Sequence, residues 1–95
     1  MRRRDNDSIT LGRDDNCGIP VHDDEASRHH CTIERRQDKF VLTDHSTNGT
    51  YVKSEGADEV LVQREEFVLT GKGTITCGQP SVSTKEIVEY SVLRS

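Results

Sequence analysis

Three short stretches hold side chains that could do chemistry: Gly12-Arg13, Ser27-Arg28-His29-His30, and Asp44-His45-Ser46-Thr47-Asn48-Gly49-Thr50-Tyr51-Val52. The planar guanidinium fork of arginine suits a phosphate or carboxylate, and a hydroxyl beside a second arginine would complete an anion pocket. Taken singly, Arg13 and Arg28 read as solvated surface charges and Ser27 as a turn residue. The third stretch is the richest. A tight hairpin turn needs only Asn48-Gly49, which tolerate positive φ. Asp44, Ser46, Thr47 and Thr50 add more hydrogen-bonding side chains than such a turn requires.

A metal-dependent hydrolase is the catalytic alternative, because His22, His29, His30 and His45 occur with Asp23, Asp24 and Asp44. No spacing among them matches a zinc pattern, and adjacent histidines on a strand point to opposite faces. No glycine-rich nucleotide cradle, catalytic-triad spacing or carboxylate pair stands out. The expectation is a binding module with no metal, no cofactor and no enzymatic activity.

The elements that must position these stretches are strands. Ser8-Ile9-Thr10-Leu11 alternates polar and apolar residues and runs into Gly12-Arg13, and Ile19-Pro20-Val21 reads as a short edge strand, where proline is tolerated. Alternation resumes with Cys31 and Ile33 on one face and Thr32 and Glu34 on the other, and Arg35-Arg36-Gln37-Asp38 makes the next turn. Lys39 to Thr43 enters the Asn-Gly loop, read as a hairpin into Tyr51-Val52. Glu59 to Gln63, Phe67 to Leu69, Gly73 to Cys77 and Glu86 to Leu93 read as further strands, the last with Val88, Tyr90 and Val92 on one face. No window of helical length keeps a helical period. Short strands with turn signals between them predict an all-β sandwich or barrel.

The chain has 95 residues, which fits one domain. Hydrophobic residues are 31% and charged residues 32%, so the core must be small. No apolar run approaches the ~18 residues of a membrane span. Met1-Arg2-Arg3-Arg4 is followed by Asp5-Asn6-Asp7 where a signal peptide would be apolar, so residues 1–7 read as a flexible polar lead to a domain over 8–95. A net charge of -4 argues against general nucleic-acid binding. Cys17, Cys31 and Cys77 are odd in number, widely spaced and free of any Cys-x-x-Cys pair, which suggests reduced thiols and a cytoplasmic setting.

The three motifs, in this order and at these separations, resemble those of the forkhead-associated (FHA) domain, and the resemblance runs from about Ser8 to Leu93. Leu69-Thr70-Gly71-Lys72-Gly73-Thr74-Ile75-Thr76-Cys77-Gly78 also looks like the family's closing glycine-bounded strand. The resemblance implies a sandwich of two antiparallel sheets whose loops at one end bind phosphothreonine peptides. By motif position it implies that Arg13 pairs with the phosphate, Ser27 hydrogen-bonds it and Arg28 adds a further contact. Asn48 would hold the peptide backbone with Thr47 beside it at the pocket edge, while Gly12, His30 and Gly49 would support the loops.

The chain departs from the family pattern in three places. Asp44-His45-Ser46 is one residue shorter than the common form, and Gly71-Lys72 replaces a common Gly-Asp. The family usually has a strand before the one ending in Gly-Arg, and Met1 to Asp7 is a poor candidate for it. An open sheet edge there would invite pairing with a second copy of the chain. The expected function is phosphothreonine-dependent recruitment of a signalling partner, without nucleic acid or membrane. The alternative is a phosphate-independent interaction or dimerisation module on the same sandwich.

Overall fold

The computed structural model describes residues 8–92. The polar lead expected over 1–7 and the end of the last expected strand, Leu93, lie outside them. Among the described residues nine strands form two facing sheets: β1 Ser8–Gly12, β2 Ile19–Pro20, β3 Cys31–Arg36, β4 Lys39–Asp44, β5 Thr50–Ser54, β6 Val60–Val62, β7 Glu66–Leu69, β8 Lys72–Cys77 and β9 Val88–Ser91. One sheet has the order β2-β1-β3-β4-β7 and the other β6-β5-β8-β9. A 3-10 turn, Ser81–Ser83, follows β8. The all-β sandwich expected from the alternation is therefore present. No helix among the described residues is long and apolar enough to cross a membrane.

Four local readings need correction. β4 pairs with β3 and β7, whereas β5 pairs with β6 and β8. The Asn48-Gly49 loop is thus a corner between sheets and not a hairpin; Gly49 alone of the pair takes positive φ, at 89°. A true hairpin joins β3 to β4, and β3 continues through Arg36 because Gln37 adopts φ 61°. The short edge strand β2 runs parallel to β1, Leu11 opposite Ile19, so one sheet is not wholly antiparallel. The strands expected over 59–63 and 86–93 are shorter, at Val60–Val62 and Val88–Ser91.

The core lies between the sheets. Leu11 and Leu42 meet Val52 and Ile75 there, all four at 0% exposure. Leu11, Cys31 and Asp44 form a row across the first sheet, and Val62, Thr50 and Cys77 form a row across the second. The Thr50 hydroxyl donates to Asp44 Oδ1 at 2.6 Å and joins the two rows. This register brings the ends of β1, β4, β6 and β8 and the starts of β3, β5 and β7 to one end of the sandwich. The loops that carry the sequence motifs all emerge there.

Candidate functional site

The rim at this end is built by backbone bonds between loops. The residue after β1, Arg13, donates its N–H to the Ser27 carbonyl at 3.0 Å, and Asp14 donates to the Arg28 carbonyl at 3.2 Å. Gly12 allows this approach, since a Cβ there would collide with the Arg28 carbonyl. Arg13 and Arg28 are exposed and Ser27 is partly so. Arg28 Nη2 lies 3.3 Å from Asp14 Oδ2, an exposed pair of low strength. The Asn16 backbone N–H, followed by Arg28, holds the Asp14 carboxyl below its usual range, so a charge-neutralising partner for Arg28 is already in place.

His30 ties these loops to the corner between the sheets. Its Nδ1 accepts the Ser27 N–H at 2.9 Å, so Nε2 carries the proton and donates to the Gly49 carbonyl at 2.7 Å. The ring is fully buried, and burial pushes its pKa below the ordinary value despite the Gly49 carbonyl, Asp44 and Asp23. Gly49 in turn sits at positive φ, where a side chain would be strained and would press on the Leu61 methyl.

Asp44 is the centre of the corner. Its Oδ1 accepts the hydroxyls of Ser46 at 2.7 Å and Thr50 at 2.6 Å; its Oδ2 accepts the N–H groups of Ser46 at 3.1 Å and Arg64 at 2.9 Å. Burial raises its pKa, but these four donors outweigh burial and hold the carboxylate below its usual range. The Ser46 hydroxyl also accepts the Gly49 N–H at 2.7 Å. The extra polar side chains of the loop are therefore structural: Asp44, Ser46 and Thr50 are buried, and Thr47 and Asn48 are pushed outward, exposed.

Asn48 Nδ2 donates to the Glu25 carbonyl at 3.1 Å and to Glu25 Oε1 at 3.2 Å, which links the outer corner to the loop before β3. Its Oδ1 has no partner among the described residues. Beneath, buried Asp23 accepts from Gln79 Nε2 at 2.8 Å, the Glu25 N–H at 2.8 Å and the Thr84 hydroxyl, anchoring the segment after β8. The arrangement brings Arg13, Ser27 and Arg28 together on one rim, with Thr47 and Asn48 beside it and Gly12, His30 and Gly49 below. No group of three or more His, Cys, Asp or Glu side chains among the described residues could hold a metal ion.

A family model described as FHA domain matches residues 9–78. The chain belongs to the FHA family. No curated protein sequence matches it. Among solved structures, the fold is similar to the N-terminal FHA domain of S. cerevisiae Rad53p in complex with a phosphothreonine peptide. The two are 24% identical with TM-score 0.61, over 93% of this chain and 68% of that one. The first FHA domain of Mycobacterium tuberculosis Rv1747 is 21% identical with TM-score 0.68, over 93% and 81%. The FhaA FHA domain, solved with the intracellular domain of Rv3910, is 28% identical with TM-score 0.59, over 82% and 78%.

Three neighbours of the motif residues in this FHA domain were not legible as site components. Asp14 reads as an ordinary turn residue, yet it holds Arg28. Arg64 falls between two expected strands and Gln63 ends the first of them, yet both bond the corner loop, at the carbonyls of Ser46 (2.9 Å) and Thr47 (2.8 Å). A non-glycine residue at positive φ, here Arg64 at 55°, leaves no signature in the sequence.

The buried neutral imidazole makes FHA-domain stability dependent on pH. Its folded pKa lies below the ordinary value of 6.5, so the unfolded chain takes up a proton first as pH falls. The His30 contribution is complete above about pH 6.5 and is lost as pH drops toward the depressed folded value, at up to ~1.4 kcal/mol per pH unit for one proton. The lowered carboxyls of Asp44 and Asp23 act in the same direction below 3.8. Urea unfolding between pH 7.5 and 5 is expected to show falling stability, with a flatter slope in His30→Gln; an unchanged slope in that variant would refute the assignment.

Proposed function

We propose that this FHA domain is a reader of phosphothreonine: a non-enzymatic module that recruits or regulates a phosphorylated signalling partner. One observation carries the reading. Backbone bonds set the guanidinium-bearing residues Arg13 and Arg28 and the Ser27 hydroxyl on one rim, beside the exposed amide of Asn48. A phosphothreonine brings about -1.5 to -2 charges and three strong acceptor oxygens, which such a rim matches. Arg13 takes the phosphate, Ser27 donates its hydroxyl, and Arg28 exchanges its weak pairing with Asp14 for the phosphate. Asn48 holds the peptide backbone through its open Oδ1, with Thr47 at the edge. Gly12, His30 and Gly49 support the loops. The family membership and the phosphothreonine peptide bound by the Rad53p domain support the same ligand class. Three buried free cysteines are in keeping with a reducing, cytoplasmic setting.

Calorimetric titration with a degenerate phosphothreonine peptide pool tests this. Saturable binding is expected for that pool and not for its unphosphorylated or phosphoserine counterparts. A folded protein that binds none of them would overturn the reading.

A second reading, pairing of two copies, is favoured by one feature. The outer edge of β9 has no partner among the described residues, and an apolar cleft of about 240 Å³ lined by Ile19, Ile33, Phe40, Val88 and Tyr90 opens beside it. Solution mass with and without phosphopeptide separates a dimer from a monomeric reader.

A further inference from the structure

Arg64 is held in place more firmly than an exposed loop arginine needs to be. Its backbone takes φ 55°, its N–H caps Asp44 Oδ2 at 2.9 Å, and its Nε–H donates to the Ser46 carbonyl at 2.9 Å. Gln63, its neighbour, bonds the next carbonyl, Thr47, at 2.8 Å. Two consecutive side chains of the β6–β7 loop thus grip two consecutive residues of the loop that presents Asn48. Arg64 is an exposed residue, and of its guanidinium only Nε is engaged among the described residues. Its two terminal nitrogens keep their donors directed away from Nε, an open fork for an anion.

The position follows from the sheet order. β4 lies between β3 and β7, so the loop before β3 and the loop before β7 flank the Asn48 corner on opposite sides. The charges there differ in sign: Glu25 touches Asn48 on one side, and Arg64 grips Ser46 on the other. Glu66, two residues on, is engaged by Arg36 at 2.9 and 3.2 Å, and Arg64 makes no ion pair among the described residues. Two strand spacings separate the Ser27 rim from the Arg64 side, roughly 10 Å, which an extended peptide covers in about three residues.

We infer that Arg64 is a specificity residue of the phosphopeptide site, selecting ligands that carry a carboxylate side chain two to four positions from the phosphothreonine. This rests on the reader function proposed above. A bound peptide crosses Asn48 from the phosphate rim and lays an aspartate or glutamate against the free fork. Glu25 disfavours the same side chain on the near side.

The test is a scan of aspartate through positions two, three and four on each side of phosphothreonine in an otherwise alanine peptide, against the wild-type domain and Arg64→Gln. At one scanned position the wild type is expected to bind about 5- to 10-fold tighter than to the alanine parent, a gain equivalent to about 1.0–1.4 kcal/mol. Arg64→Gln removes that gain, Arg64→Lys keeps part of it, and raised salt reduces it. No gain at any position, or a gain that survives in Arg64→Gln, overturns the inference and leaves the reader function standing. Because the readout is the ratio of two peptides, a general loss of affinity in the variant does not imitate the result. If the wild type binds not even the parent, the reader function itself fails and the inference falls with it.

Discussion

Replacing Arg13 with alanine is expected to weaken phosphothreonine-peptide binding about 10- to 150-fold, the equivalent of the ~1.5–3 kcal/mol of a charge-assisted hydrogen bond. The side chain is exposed while its backbone N–H is fixed to Ser27, so the free domain loses little when it is removed. Arg28→Ala is expected to cost less, about 3- to 10-fold, because Arg28 must first leave Asp14 and the wild type already bears that small cost. Arg13→Lys keeps the charge and loses the fork, and falls between the two. Titration of one phosphopeptide against all three variants checks the order, with thermal melts to show that each is folded. Equal losses for Arg13→Ala and Arg28→Ala would contradict the different situations of the two guanidiniums.

The second large effect is on stability. Asp44→Ala is expected to destabilise the domain by about 3–5 kcal/mol, the range for removing one partner from a buried charged network. Two hydroxyls and two N–H groups, from Ser46, Thr50 and Arg64, would then lose their acceptor in a site that is 2% exposed. With a total stability of only about 5–14 kcal/mol for a chain of this size, such a loss lowers the melting temperature by well over 10 °C. Asp44→Asn is expected to lie between, since the amide keeps one acceptor oxygen and turns a donor toward the groups that had faced the other. A melting temperature within a few degrees of wild type for Asp44→Ala would show that the carboxylate does not hold the corner.

These two residues also mark how much could be read from the amino-acid order. Arg13 could be singled out only with its companions: alone it reads as a solvated charge, and its expected role came from the resemblance carried by the order and separation of the three motifs. The polar surplus around Asn48 was visible too, but its purpose was not. Side chains of Asp44, Ser46 and Thr50 point inward to close a buried network, a consequence of two sheets meeting and not of local sequence. The same cause explains the misread turn. Asn-Gly signals a reversal, and whether the flanking strands then pair depends on where each finds its burial partner; β4 and β5 find theirs in different sheets. Alternation gave the strands their identity, while the ends of β6 and β9 depended on where neighbouring backbone stopped offering hydrogen bonds. Arg64 was hidden altogether, since its role comes from a backbone conformation that many residue types can be forced to adopt.

The hydrogen bonds of the corner, Asp44 to Ser46 and Thr50, Ser46 to Gly49, His30 to Ser27 and Gly49, are all closed in the domain by itself. That has a consequence for time as well as affinity. A peptide arriving at loops that need no ordering is captured at a rate set by diffusion and charge steering, and peptides of different sequence then differ chiefly in how long they stay. On the proposed reading, a short-lived complex leaves its phosphate open to removal between binding events, whereas a long-lived one shields it.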